Sequence, residues 1–118
     1  MAEYKFILPW PPSINGYWRT VNNRQIISKR GRTYRAEIYT EFLFIGLLNE
    51  LIDKNVNVHM ILNPPTLRKY DVDNFTKAVF DGLTAAKFWV DDEQVQKLTV
   101  EKGKKIKGGG AEISVSVV

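Results

Sequence analysis

Asp71-Val72-Asp73-Asn74, with Lys77 close behind and Asp91-Asp92 one helix-length further on, is the stretch of this chain whose residue types could do chemistry. These carboxylates and one ammonium group sit in a chain of net charge +4 and pI about 9.4. A basic protein attracts polyanions. An acidic cluster kept inside such a field points to a divalent cation. A hard ion such as Mg2+ takes oxygen ligands, one or two of them carboxylates, with water and substrate phosphate in the remaining positions. The chemistry implied is metal-dependent attack on a phosphodiester.

Composition narrows the alternatives. At 118 residues, 44% hydrophobic and 25% charged, the chain is expected to form a single domain over 1–118 with one core. No apolar run approaches the roughly 20 residues that cross a bilayer. The segment Met1-Ala2-Glu3-Tyr4-Lys5 has neither the n-region nor the h-region of a signal peptide, so a cytoplasmic protein is expected, with no membrane partner. There is no cysteine, and His59 is the single histidine. Disulfides, thiolate metal sites and the usual nitrogen-and-sulfur zinc site are thereby set aside, and any metal must be held by oxygen. Cys-His and Ser-His-Asp catalysis would need His59 as base, yet it lies in a strand-like run between Val58 and Met60 and reads as a solvent-facing strand residue.

The elements that must position the carboxylates follow from periodicity. Tyr4 to Leu8 favours a strand, stopped by Pro9-Trp10-Pro11-Pro12. Ser13 to Arg32 reads as a long functional loop with a short strand at Gln25 to Ser28. From Thr33 the apolar residues Tyr34, Ile38, Phe42, Ile45 and Leu48 recur at helical spacing, which predicts a first helix ending near Leu51. Val56, Val58, Met60 and Leu62 alternate as a second strand, ended by Asn63-Pro64-Pro65. A second helix should start at Asp73 or Asn74, both good N-caps, and reach about Ala86 with Phe75, Val79, Leu83 and Ala86 inward. Gln94 to Glu101 and Ile113 to Val117 alternate around a basic, glycine-rich turn at Lys102 to Gly110, which predicts a terminal hairpin. The fold class expected is α+β, a two-layer sandwich of mixed β-sheet and two helices in the order β-α-β-α-β-β, with the helices on one face.

If Tyr70 to Asp73 is extended, Asp71 and Asp73 project to the same side. Lys77, four residues past Asp73, would reach the same neighbourhood one helical turn on. Asp92, ahead of Asp91, would return to the site from the start of the next strand. Carboxylates this close repel, and a cation relieves the repulsion. One or two Mg2+ ions could then activate water and stabilise a leaving 3′ oxygen, with Lys77 stabilising developing charge. Taken singly, Asp73 is equally a cap, Lys77 an exposed helical lysine and Asp91-Asp92-Glu93 a solvated turn; a cap, however, gains nothing from Asp71. A calcium EF-hand is disfavoured by Phe75 and Thr76 at its ligand and glycine positions.

Three blocks resemble one family, the RusA-type Holliday junction resolvases (crossover junction endodeoxyribonucleases), small enzymes common on prophages. Leu8-Pro9-Trp10-Pro11-Pro12-Ser13 with Asn15 and Tyr17-Trp18-Arg19 is similar to its N-terminal motif. Asp71-Val72-Asp73-Asn74 with Lys77, Ala78, Phe80 and Asp81 is similar to its acidic motif, and Phe88-Trp89-Val90-Asp91-Asp92 with Gln94-Val95 to its third. The resemblance implies a dimeric, Mg2+-dependent enzyme, with Mn2+ as a substitute and no other small-molecule cofactor, that nicks opposed strands of a four-way DNA junction and leaves ligatable ends. It assigns Asp71, Asp73 and Asp92 as metal-binding catalytic carboxylates and Lys77 as the essential lysine, while Asp91 matches a neighbouring acid. The basic run that can precede the acidic motif is here only Arg68-Lys69-Tyr70.

DNA contacts are expected from Arg19, Arg24, Lys29, Arg30, Arg32 and Arg35 in the long loop and its continuation, from Arg68 and Lys69, and from the turn bearing Lys102, Lys104, Lys105 and Lys107, which reads equally as a solvated turn. Tyr17 and Trp18 could stack on exposed bases, or Trp10 and Trp18 could pack against the core or a partner chain. Symmetric cutting of two strands needs two sites, hence a C2 homodimer, with Phe44 or Leu47 on the first helix as the expected contact. The competing readings are a nuclease of other preference, such as flaps or plain duplex, and a non-catalytic junction-binding protein.

Overall fold

A mixed, four-stranded sheet carries the core, and the sequence explains which strand takes which place in it. The computed structural model describes residues 2–118, so Met1 of the N-terminal segment lies outside the description. Strand β1 (Glu3–Leu8) precedes a short helix α1 (Ile14–Tyr17) and a hairpin of β2 (Trp18–Val21) with β3 (Arg24–Ile27). Helix α2 (Lys29–Ile45), strand β4 (Val56–Asn63), helix α3 (Thr76–Ala85), strand β5 (Val95–Lys102) and strand β6 (Gly110–Val117) follow. The sheet order is β1-β6-β4-β5, with β4 parallel to β5 and antiparallel to β6. The expected terminal hairpin is therefore not formed. Ala111, Ile113 and Val115 of β6 are buried, and β6 lies centrally between β1 and β4, whereas β5 exposes most of its residues and takes the edge. Burial outweighed the turn-like linker, and α3 supplies the crossover that a parallel pair needs.

The long loop expected over 13–32 is largely ordered into elements. Asn22 and Asn23 both take positive φ at the β2–β3 turn, the left-handed geometry that a tight hairpin requires. Helix α2 begins at Lys29 rather than Thr33 because the Ser28 hydroxyl accepts from the Gly31 amide at 3.0 Å as N-cap. It ends at Ile45, short of Leu51, because Gly46 adopts a left-handed C-cap. Tyr34, Ile38 and Phe42 are buried as expected, while Ile45 is exposed. The face of α3 is also as expected, with Phe75, Val79, Leu83 and Ala86 all buried. Gly82 lets α2 approach α3 closely: a Cβ there would strike Ile38 Cδ1. His59 is exposed on β4 and faces Glu101 at 3.3 Å. Among the described residues no helix is long and apolar enough to cross a membrane.

Candidate functional site

The segment that carries Asp71 is fixed from both sides before its carboxylate appears. Pro64 and Pro65 end β4, and the Pro64 carbonyl accepts from the Ile106 amide at 3.0 Å. The Tyr70 ring meets Trp10 edge-on at 5.5 Å and Phe75 at 5.6 Å, with Lys102 Nζ 4.5 Å above its centroid. Trp10 thus joins the proline-rich segment to the acidic one, and the Tyr34 hydroxyl anchors that segment from α2 by donating to the Pro9 carbonyl at 2.7 Å. Trp10 and Trp18 are half-buried against the core.

Asp71 is extended, but residues Val72–Asn74 form a 3-10 turn closed by the Asn74 amide on the Asp71 carbonyl at 3.2 Å. Strand alternation therefore ends at Asp71 and does not set the direction of Asp73. Phe75, at φ −121° and ψ −1°, separates the turn from α3, which starts at Thr76 without a side-chain cap. Neither Asp73 nor Asn74 caps α3, contrary to expectation, and Asp73 and Lys77 are not joined by one continuous helical turn. The buried Phe75 ring took precedence over a polar cap. Both Asp71 and Asp73 are exposed.

Asp92 stands on firmer ground. Phe88 and Trp89 are fully buried, and Trp89 Nε1 donates to Thr84 Oγ1 at 2.7 Å. Residues Asp92–Gln94 form a second 3-10 turn, opened by Asp91 as the first member of a capping box with Gln94. The Asp91 amide donates to Gln94 Oε1 at 2.8 Å, while Gln94 Nε2 donates to the carbonyls of Ile52 and Lys54, each at 2.8 Å. Asp92 is half-buried, and burial pushes its carboxyl above the usual range; a hydrogen bond with Asp91 adds to this and the Lys77 ammonium opposes it. Lys77, on the first turn of α3 just after the segment bearing Asp71 and Asp73, thus lies within electrostatic reach of Asp92.

A third carboxylate joins this group. Asp81, one turn beyond Lys77 on α3, accepts from the Tyr17 hydroxyl and from Arg35 Nε at 2.7 Å, with Arg35 Nη2 also paired to it. Burial raises the Asp81 carboxyl and the like charge of Asp92 adds to it. Tyr17 is 0% exposed, so it is a buried donor and not a free stacking platform. Arg35, expected among the DNA contacts, is committed to Asp81. The four-residue interval from Lys77 to Asp81 on an apolar-faced helix was the signal available in sequence for this group.

Among the described residues no three His, Asp or Glu side chains are gathered closely enough to hold a metal ion as a protein cage. The donors nevertheless suit a hard cation. They are oxygen only, and Mg2+ needs one or two carboxylates when water and phosphate complete its shell. The repulsion among Asp81, Asp91 and Asp92 is of the kind that a cation relieves.

The basic residues expected to meet DNA, Arg35 apart, lie exposed on several separate segments. Arg19 and Arg24 are exposed on the β2–β3 hairpin, Lys29, Arg30 and Arg32 on the first turn of α2, and Lys104, Lys105 and Lys107 on the β5–β6 connection. Arg30, Arg68 and Lys69 share a cavity of about 580 Å3 with Trp10, Tyr70 and Phe75. A cavity of about 710 Å3 lies elsewhere, between the β1 edge and the end of α2 around Ile45 and Leu47.

The family model described as Endodeoxyribonuclease RusA matches residues 9–117. A crossover junction endodeoxyribonuclease RusA of Shigella sonnei is 38% identical over 116 residues, covering 98% of this chain and 96% of the relative. Its namesake of Enterobacteria phage HK97 is 35% identical over 117 residues with the same coverage, and that of Escherichia coli strain K12 is 36% identical over 116 residues, again covering 98% and 96%.

Proposed function

The chain belongs to the RusA endodeoxyribonuclease family, and from that premise we propose that it is a Mg2+-dependent, structure-selective endonuclease that resolves four-way DNA junctions in the cytoplasm. The observation that carries the proposal is that Lys77, on the first turn of α3 directly after the turn bearing Asp71 and Asp73, is within electrostatic reach of Asp92 and its neighbour Asp91.

Asp71, Asp73 and Asp92 would hold the cation, with Mn2+ able to replace Mg2+. When bound, the metal supplies Lewis-acid polarisation of the phosphate and a water of lowered pKa. In the hydrolysis, a water oxygen bonds to phosphorus and the bond from phosphorus to the 3′ oxygen breaks. The products are a 5′ phosphate and a 3′ hydroxyl, which are ligatable. Lys77 places positive charge beside the phosphate as negative charge develops. Asp91 acts through the capping box, setting the direction of Asp92. The exposed basic residues on α2, on the two connections and at Arg68-Lys69 bind backbone phosphate. Binding should therefore weaken steeply with salt.

Two such two-layer chains would act as a C2 homodimer, giving two active sites for paired, symmetric nicks. Phe44 is 83% exposed and Leu43 also stands out on α2, near the 710 Å3 cavity that Leu47 helps to line, which supports this face as the contact. The deciding experiment incubates synthetic four-way junctions and matched duplex with wild type and Asp71→Asn, with and without Mg2+. Paired nicks confined to the junction, abolished by chelation and by the variant while binding persists, would support the proposal. Cutting that ignores chelation would overturn the metal site. Preference for flaps or duplex would overturn the substrate, and binding without cutting under any condition would leave a non-catalytic junction binder.

A further inference from the structure

The connection between β4 and Asp71 holds its most exposed apolar residue on a braced tip. Leu67 is 86% exposed, more than any other large hydrophobic side chain among the described residues. Single exposed leucines are ordinary on protein surfaces. This one differs in how firmly its loop is held. On the near side the Ile106 amide fastens Pro64, and Gly109, at φ +72°, is packed so tightly that a Cβ there would lie 2.9 Å from both Pro65 Cδ and Trp10 Cβ. On the far side Tyr70 is wedged between Trp10 and Phe75 under Lys102. At the tip itself the Arg68 amide donates to Thr66 Oγ1 at 3.3 Å. The fold thus braces the loop from both ends while covering little of Leu67.

The charges beside it say what would cover it. Arg68 and Lys69 follow directly, and Arg30 lies across the 580 Å3 cavity from them. An apolar tip backed by cations suits a polyanion that also offers apolar surface, which is nucleic acid whose bases are accessible. Asp71 comes four residues later, and four residues of extended chain reach at most about 14 Å. From this the geometry points to Leu67 as a wedge that enters the base stack at the branch point of the DNA substrate. The inference rests on the endonuclease reading and deepens it.

Apolar side chains inserted between base steps partly unstack them and kink the duplex. That insertion is cheapest where stacking is already interrupted, as it is at a four-way branch and is not within plain duplex. Leu67 would therefore contribute selectivity for branched DNA, while Arg68 and Lys69 contribute affinity without selectivity.

The test places 2-aminopurine beside the branch point and measures its fluorescence on binding, in EDTA so that no cutting intervenes. Cleavage in Mg2+ and sedimentation of the free protein are measured in parallel. Wild type should raise the fluorescence several-fold on the junction and leave matched duplex unchanged. Leu67→Ala should remove that rise and bring junction affinity down toward duplex affinity, with melting temperature and duplex affinity unaltered. Leu67→Met should retain most of the effect. Junction binding and cutting by wild type with no change in fluorescence would overturn the wedge alone. A full fluorescence response from Leu67→Ala would do the same, and an altered oligomeric state of that variant would assign Leu67 to a second copy of the chain. Failure of wild type to prefer the junction over duplex would overturn both the wedge and the substrate on which it rests.

Discussion

The two acidic segments that flank α3 are alike in form and opposite in support. Each is a 3-10 turn opened by an extended aspartate, Asp71 before Val72–Asn74 and Asp91 before Asp92–Gln94. The second is tied down by the Gln94 hydrogen bonds to Ile52 and Lys54 and by buried Trp89, so Asp92 is half-buried with a raised carboxyl. The first leaves Asp71 and Asp73 exposed, and what the fold braces there is the aromatic cluster around Tyr70. The difference teaches that Asp92 is pre-positioned by packing, whereas Asp71 and Asp73 stand in water, where the proposed function would have a cation and phosphate organise them.

The comparison can be broken first by activity. Asp71→Asn and Asp92→Asn should each lower single-turnover cleavage of a junction by at least about 10³-fold, equivalent to ~4 kcal/mol of transition-state stabilisation. If one of them cuts normally, its segment does not belong to the site. Lys77→Met should cost about 10²-fold, as the loss of one preorganised charge does. Lys77→Arg should recover part of that rate while junction affinity stays constant in both variants.

Stability should then separate the segments. Gln94→Ala removes three hydrogen bonds, two of them open to water and the third to an Ile52 carbonyl that also accepts from the Val90 amide, and should lower unfolding stability by about 1 kcal/mol, read by urea denaturation. Substituting Asn74 in the first turn should change little, within about 0.5 kcal/mol.

The smallest effect is in pH. Because the folded chain holds the Asp92 proton more tightly than the unfolded chain, stability falls as pH rises from the ordinary aspartate value of about 3.9 through the raised one. The loss is complete above the raised value. In EDTA at neutral pH, Asp92→Asn should therefore melt slightly above wild type, and the gain should disappear below pH about 3.9, where the wild-type carboxyl is protonated in both states. Asp71→Asn, at an exposed position, should show no such gain in the same melting series.

Sequence made the inner faces of the helices legible because they rest on local spacing. Phe75, Val79 and Leu83 are buried where the helical period puts them, as are Tyr34, Ile38 and Phe42. What escaped depends on competition between distant residues. The basic, glycine-rich linker after Lys102 looks like a hairpin tip, yet β6 is the more apolar strand and displaced β5 from its side. Asn22-Asn23 carried a tight-turn signal that the surrounding polar residues hid. Ser28 and Gly46 bounded α2 more tightly than the spread of its apolar stripe suggested. Within the site, the pairing of Asp81 with Arg35 and Tyr17 escaped because it brings together three elements far apart in the chain.

The central claim is that these two unlike segments act as one site through a shared cation, and a Mn2+ titration followed by electron paramagnetic resonance, with uncleavable junction bound, tests it most directly. The account predicts that Asp71→Asn and Asp92→Asn each weaken Mn2+ binding at least about tenfold, or ~1.4 kcal/mol. It would be contradicted if either variant bound Mn2+ as tightly as wild type.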